Sequence, residues 1–138
     1  MDILITTHGK LAEGLMSGLS FITGSTDHVE SVALDEMGIE DFRHRLQQKF
    51  SEASEPLIVL ADLKGGTPYN ESFAYYLAHP DDIRVVSGVN LPMVIELATM
   101  ISGLSSLDEA VDLVRAAGVN GISVPDNVDD EEEDDLDF

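Results

Sequence analysis

The chain has 138 residues, one domain's length and enough to bury roughly two thirds of the surface that an unfolded chain exposes. A net charge of −20, with seven basic against 27 acidic residues, excludes a phosphate-tracking nucleic-acid surface. The absence of cysteine excludes disulfides, thiolate metal sites and thiol nucleophiles. With no apolar run long enough to span a bilayer and no secretory leader pattern, a cytoplasmic location is expected.

Asp2–Thr6 is a short apolar run bounded by polar residues and reads as a buried strand. Leu11, Leu15, Leu19 and Ile22 follow at helical spacing. Val29–Leu34 reads as a second strand, and Ile39, Phe42, Leu46 and Phe50 mark a second helix after Gly38. Leu57–Asp62 is the third strand. The helix after it opens at Thr67, a capping residue, with Pro68 in its first turn. Ile83–Ser87 is the fourth strand and Pro92 opens a fourth helix. A fifth starts with Ser106 and Glu109 in capping-box register and is expected to end at Gly118, before a short strand over Gly121–Val124.

Alternating strands and helices predict a single α/β domain over residues 1–124, with a mostly parallel sheet and helices on both faces. From Asp126 the chain reads DNVDDEEEDDLDF and holds nine of its acids. Residues 125–138 are therefore expected to be a disordered, solvated tail. The body without it keeps 18 acids against seven bases, so electropositive protein partners are favoured.

In such sheets a ligand lies beyond the carboxyl ends of the strands. The first strand's end carries Thr7, His8 and Gly9, the third carries Asp62 to Asn70 (DLKGGTPYN), and the fourth carries Gly88 to Met93 (GVNLPM). A histidine leaving an apolar strand is either a loop residue satisfied by a carbonyl or a reactive group. His28, His44 and His79 lack that context and are expected on the surface. Asp62 can accept the Nδ1 proton of His8, leaving Nε2 with a free lone pair and stabilising positive charge on the ring; the other reading is a capping aspartate. Gly65 and Gly66 admit close backbone approach, and the following helix directs its positive end to the same place. Thr67 adds a hydroxyl and Lys64 a charge. Together these residues point to a phosphohistidine site. No second histidine or carboxylate cluster stands at a neighbouring strand end, so no metal or cofactor is expected.

At these motifs the chain resembles the enzyme IIA component (EIIA) of the mannose family of the bacterial sugar phosphotransferase system, over about residues 1 to 124. The resemblance rests on THG with His8, DLKGGTPYN and GVNLPM in that order and spacing. It implies that His8 accepts a phosphoryl group through Nε2, that Asp62 orients the ring, and that Gly65, Gly66 and Thr67 hold the phosphoryl oxygens. Thr7, Gly9, Lys64, Asn70 and Asn90 would line the site. It implies a donor, the histidine-containing phosphocarrier protein HPr, and an acceptor, an enzyme IIB on a separate polypeptide, with the membrane reached only through the transporter. It also implies a homodimer in which Gly121–Val124 crosses to the partner as an antiparallel edge strand, hinged at Gly118–Gly121. Lys10 and Lys64 stand where other members often carry aromatic or neutral residues. Leu63, Leu91 and Met93 are candidates for an apolar docking rim, each equally compatible with a place in the core.

Imidazole titrates near pH 6.5, so a histidine is a usable nucleophile at neutral pH. Three other readings compete: the IIA-like domain of a dihydroxyacetone kinase system, a receiver domain phosphorylated on Asp62, and an interaction module whose working part is the acidic tail. The receiver would need paired acids after the first strand, where this chain has TTHG.

Overall fold

The computed structural model describes residues 1–126. Strands β1 (Asp2–His8), β2 (Val29–Leu34), β3 (Leu57–Ala61) and β4 (Ile83–Ser87) form one parallel sheet in the order β2-β1-β3-β4. Helices α1 (Leu11–Thr23), α2 (Ile39–Glu52), α3 (Thr67–Ala78), α4 (Leu91–Met100) and α5 (Leu107–Asn120) alternate with them. This is the single α/β domain that the alternation predicts.

Alternate residues of each strand face opposite sides of the sheet. Ile3, Ile5, Ile58 and Leu60 pack with Leu15, Leu19, Val94, Leu97 and Val114, under α1, α4 and α5. Leu4, Leu57 and Val59 pack with Phe42, Leu46 and Phe50, on the side of α2 and α3. This pleat has a consequence for function: His8 shares its face with Leu4 and Thr6, so its side chain meets α3.

Strand β1 is longer than the sequence suggests, because His8 still pairs with Leu34 of β2. Two helix ends also differ. Gly66, not Thr67, is the residue before α3; its extended backbone makes Thr67 the first helical residue and leaves the Thr67 hydroxyl without a capping bond. Gly118 does not end α5, which runs on to Asn120. A Cβ at Gly118 would lie 2.9 Å from the Met93 side chain, so this glycine serves helix-to-helix contact and not chain reversal. The expected hinge is therefore mostly helix. Gly121–Val124 forms no strand within the single chain. The acidic stretch lies outside the described residues beyond Asp126.

The Ser106 cap is present, its hydroxyl accepting from the Glu109 N–H at 3.1 Å. The Glu109 carboxylate turns to the Ser105 hydroxyl at 2.7 Å. Helix α4 has Asn90 as its cap, accepting from the Met93 N–H at 3.1 Å, with Pro92 one residue after the helix start. Among the described residues no helix is long and apolar enough to cross a membrane.

Candidate functional site

The carboxyl edge of the sheet brings His8 and Asp62 into contact. The Asp62 Oδ2 accepts from the backbone N–H of His8 at 2.8 Å and stands 2.9 Å from its Nδ1. Oδ1 accepts from the Leu63 N–H at 2.9 Å. The carboxylate thus occupies the place of a ladder carbonyl beyond the end of β3 and grips one imidazole nitrogen. The His8 side chain is 46% exposed and that of Asp62 only 12%. Burial alone pushes the Asp62 carboxyl up, but the hydrogen bonds from the His8 backbone and ring, the ring's charge and the Leu63 N–H together hold it below its ordinary 3.8. The pair therefore favours an ionised Asp62 and engages Nδ1, while Nε2 has no hydrogen-bond partner among the described residues.

Gly66 presses on the ring. A Cβ there would lie 2.7 Å from Cε1 of His8, closer than real Cβ contacts come, and 3.3 Å from Nε2. Leu63 to Gly66 form a turn closed by the Gly66 N–H donating to the Leu63 carbonyl at 3.0 Å, with Gly65 at φ +86°. That φ needs glycine, so the two adjacent glycines answer different demands. Asn70 secures the turn from α3, donating to the Gly65 carbonyl at 2.9 Å. Among the described residues nothing accepts from the Thr67 or Tyr69 N–H, and these donors point out of the first turn of α3.

Other expected site residues have structural partners. The Thr7 hydroxyl is buried and accepts from the Ala12 N–H at 2.8 Å, capping α1 from the strand. The Gly9 N–H donates to the Leu34 carbonyl at 2.7 Å. Asn90 caps α4 and donates to the Gly118 carbonyl at 3.1 Å. Lys64 is exposed at the corner of the turn and, with Asn90, Tyr69 and Arg115, borders a cleft of about 450 Å³ along β4. Of the three rim candidates only Leu63 is open; Leu91 is half-buried beside Gly18 and Met93 is core. Leu11, Met37 and Ile39 are exposed on loops or helix starts at this same edge. Leu11 and Ile39 sit at helical spacing with core residues, which is why the pattern hides them. Thr6 lies one pleat behind His8, its hydroxyl fully buried with no partner among the described residues.

The remaining histidines lie elsewhere on the surface. His28 faces Asp2 at 3.1 Å at the amino end of the sheet, His79 stacks on Tyr75 and His44 is exposed on α2. The cavity of about 510 Å³ lined by Asp2, His28 and Lys49 belongs to that amino end. His8 itself sits on an open edge, suited to contact with another macromolecule more than to enclosing a small molecule.

The structure is an open parallel α/β domain that presents an exposed histidine, held by a carboxylate, at a strand's carboxyl end. Comparison makes the class specific. The family model EIIA-man, described as PTS system fructose IIA component, matches residues 2–115, and the chain belongs to that family of phosphotransferase-system (PTS) EIIA components. A fructose-specific EIIA component of Bacillus subtilis is 26% identical over 78% of this chain and 75% of its own length. A mannose-specific EIIAB component of Escherichia coli is 27% identical over 87% of this chain, which spans only 38% of that longer protein. Among solved structures, an EIIA from Streptococcus agalactiae is 34% identical, covering 89% of this chain and 95% of its own with a TM-score of 0.82. A mannose/sorbose-specific IIA subunit from Enterococcus faecalis is 31% identical at the same TM-score, over 93% and 96% of the two chains. By membership, this chain is a phosphoryl-carrier component of a sugar phosphotransferase system.

Proposed function

We propose that His8 is the phosphoryl acceptor, taking the group on Nε2 from phosphorylated HPr and passing it to an enzyme IIB. The observation that carries this reading is the 2.9 Å contact of Nδ1 with Asp62 on an exposed ring, with Nε2 the nitrogen that has no hydrogen-bond partner among the described residues. In the transfer, the Nε2 lone pair forms a bond to phosphorus while the donor's N–P bond breaks and its electron pair returns to the donor nitrogen. The Nδ1 proton stays between ring and carboxylate, and Asp62 offsets the positive charge that the ring acquires. Thr67 and the open N–H groups of α3 receive phosphoryl oxygens, with Gly65 and Gly66 shaping the approach. One nitrogen replaces another on phosphorus, so neither nucleotide nor metal is needed.

The receiver reading is disfavoured because both Asp62 oxygens already accept hydrogen bonds. Residues 1–124 are the working unit, in the cytoplasm. Two copies pair through Gly121–Val124, each segment joining the other subunit's sheet. Support comes from β4, whose outer edge has no neighbour among the described residues, and from exposed Val119 and Ile122, which border the cleft along it. Leu63, Leu11 and Met37 supply apolar contacts for partner proteins.

The test is incubation with phosphoenolpyruvate, enzyme I and HPr. The expected product is one acid-labile, alkali-stable phosphoryl group per chain, absent in His8→Ala. A hydroxylamine-sensitive label, or full labelling of His8→Ala, overturns the proposal.

A further inference from the structure

The seven basic residues are not spent alike. Arg43 pairs with Glu71 at 2.8 Å, Arg45 with Asp41 at 2.8 Å, Lys49 with Glu30 at 3.1 Å and Arg84 with Asp108 at 3.0 Å. Lys10, Lys64 and Arg115 have no acidic partner among the described residues. Two of these three belong to the loops that meet at His8. Lys10 follows Gly9 as the residue before α1, and Lys64 is the corner of the turn whose last residue abuts the imidazole. Both are exposed.

A phosphoryl group on Nε2 brings two negative charges and three oxygens to a chain that already carries −20. Several neutral donors around the ring are already engaged. The Gly9 and Gly66 N–H groups are bound to carbonyls, the Thr7 hydroxyl is buried on the opposite face of the sheet, and Pro68 has no N–H. The Thr67 hydroxyl and the Thr67 and Tyr69 N–H groups are what α3 offers. The acids on this edge add repulsion: Glu13 lies one turn along α1, and Asp35 and Glu36 follow β2. Asp35 is turned to the Met37 N–H at 2.9 Å and lies 3.7 Å from Arg45. Charges beyond about 8 Å are largely screened at physiological salt, so local cations decide the balance.

We propose that Lys10 and Lys64 are the cationic half of the phosphoryl-binding site, placing their ammonium groups on the oxygens of phosphorylated His8 from the two loops flanking it. This rests on His8 as acceptor and deepens that reading. Holding the phosphorylated form more than the free one moves the transfer equilibrium toward this chain.

The experiment measures the equilibrium distribution of phosphoryl groups between HPr and the chain, at low and high salt, for wild type, Lys10→Gln, Lys64→Gln and the double variant. Each single change is expected to lower the equilibrium constant about threefold and the double change about tenfold. Lys→Arg at both positions should largely restore it. Added salt should weaken wild type while leaving the double variant almost unaffected. An equilibrium constant in the double variant equal to wild type overturns the proposal, as does a slower approach to an unchanged equilibrium, which would assign the lysines to partner docking. Wild-type protein that takes no label overturns the phosphoryl-acceptor reading and this inference with it.

Discussion

At Gly66 the constraint comes from a neighbour: any Cβ would enter the space of the His8 ring. Gly66→Ala should therefore leave the fold intact, displace the imidazole and slow phosphorylation at least roughly tenfold, as measured by labelling beside a circular-dichroism check. Asp62→Asn removes the charge while keeping the size, and should slow the same step roughly 10- to 100-fold. Its pH dependence has a definite sign. The Asp62 carboxyl is depressed in the folded chain, so its contribution to stability is fully present above the ordinary carboxylate range. It is lost as pH falls through 3.8 toward the folded value. Denaturant melts should show a constant gap between wild type and Asp62→Asn near neutrality, shrinking in acid; a gap that widens in acid would contradict this. The His8–Asp62 pair is legible in the sequence because both residues close apolar runs that parallel strands must bring side by side. The Gly66 contact is not legible, since a missing Cβ does not say whether it spares a turn, a ligand or a ring.

Among the elements, β1 and α1 are joined by a side chain that sequence reasoning assigns to the ligand. Thr7 lies on the α1 side of the sheet, opposite in pleat to His8, and its hydroxyl satisfies the Ala12 N–H. Thr7→Val should cost about 1–2 kcal/mol in thermal or denaturant unfolding, with phosphorylation retained. In α5, Gly118→Ala should destabilise by about 1–3 kcal/mol, because the methyl group meets Met93 and Met93 cannot withdraw from the core freely. The same residue shows where periodicity stops informing. Helical spacing finds α2 through Phe42, Leu46 and Phe50, which are buried as the pattern demands. A glycine near the end of such a pattern is equally compatible with a helix end and with a close helix crossing, and only the partner helix separates the two.

For the molecule as a whole, the parallel order and the two-layer core follow from β-branched runs alternating with amphipathic helices. The exposed apolar residues do not, because Leu63 and Ile122 look in sequence like any buried leucine or isoleucine. The proposed dimer predicts that the intact chain sediments as a dimer and a chain truncated after Asn120 as a monomer; an unchanged subunit number would remove Gly121–Val124 from the subunit contact. Removal of residues 126–138 should leave phosphoryl transfer close to wild type, and a severe loss would give the acidic stretch a part in the reaction. The central claim, though, is atomic: Asp62 holds one ring nitrogen so that the other reacts. Nitrogen–phosphorus NMR of the phosphorylated, nitrogen-labelled chain tests it most directly. Coupling of phosphorus to Nε2 of His8 is the predicted result, and coupling to Nδ1, or phosphorus on any other residue, would contradict it.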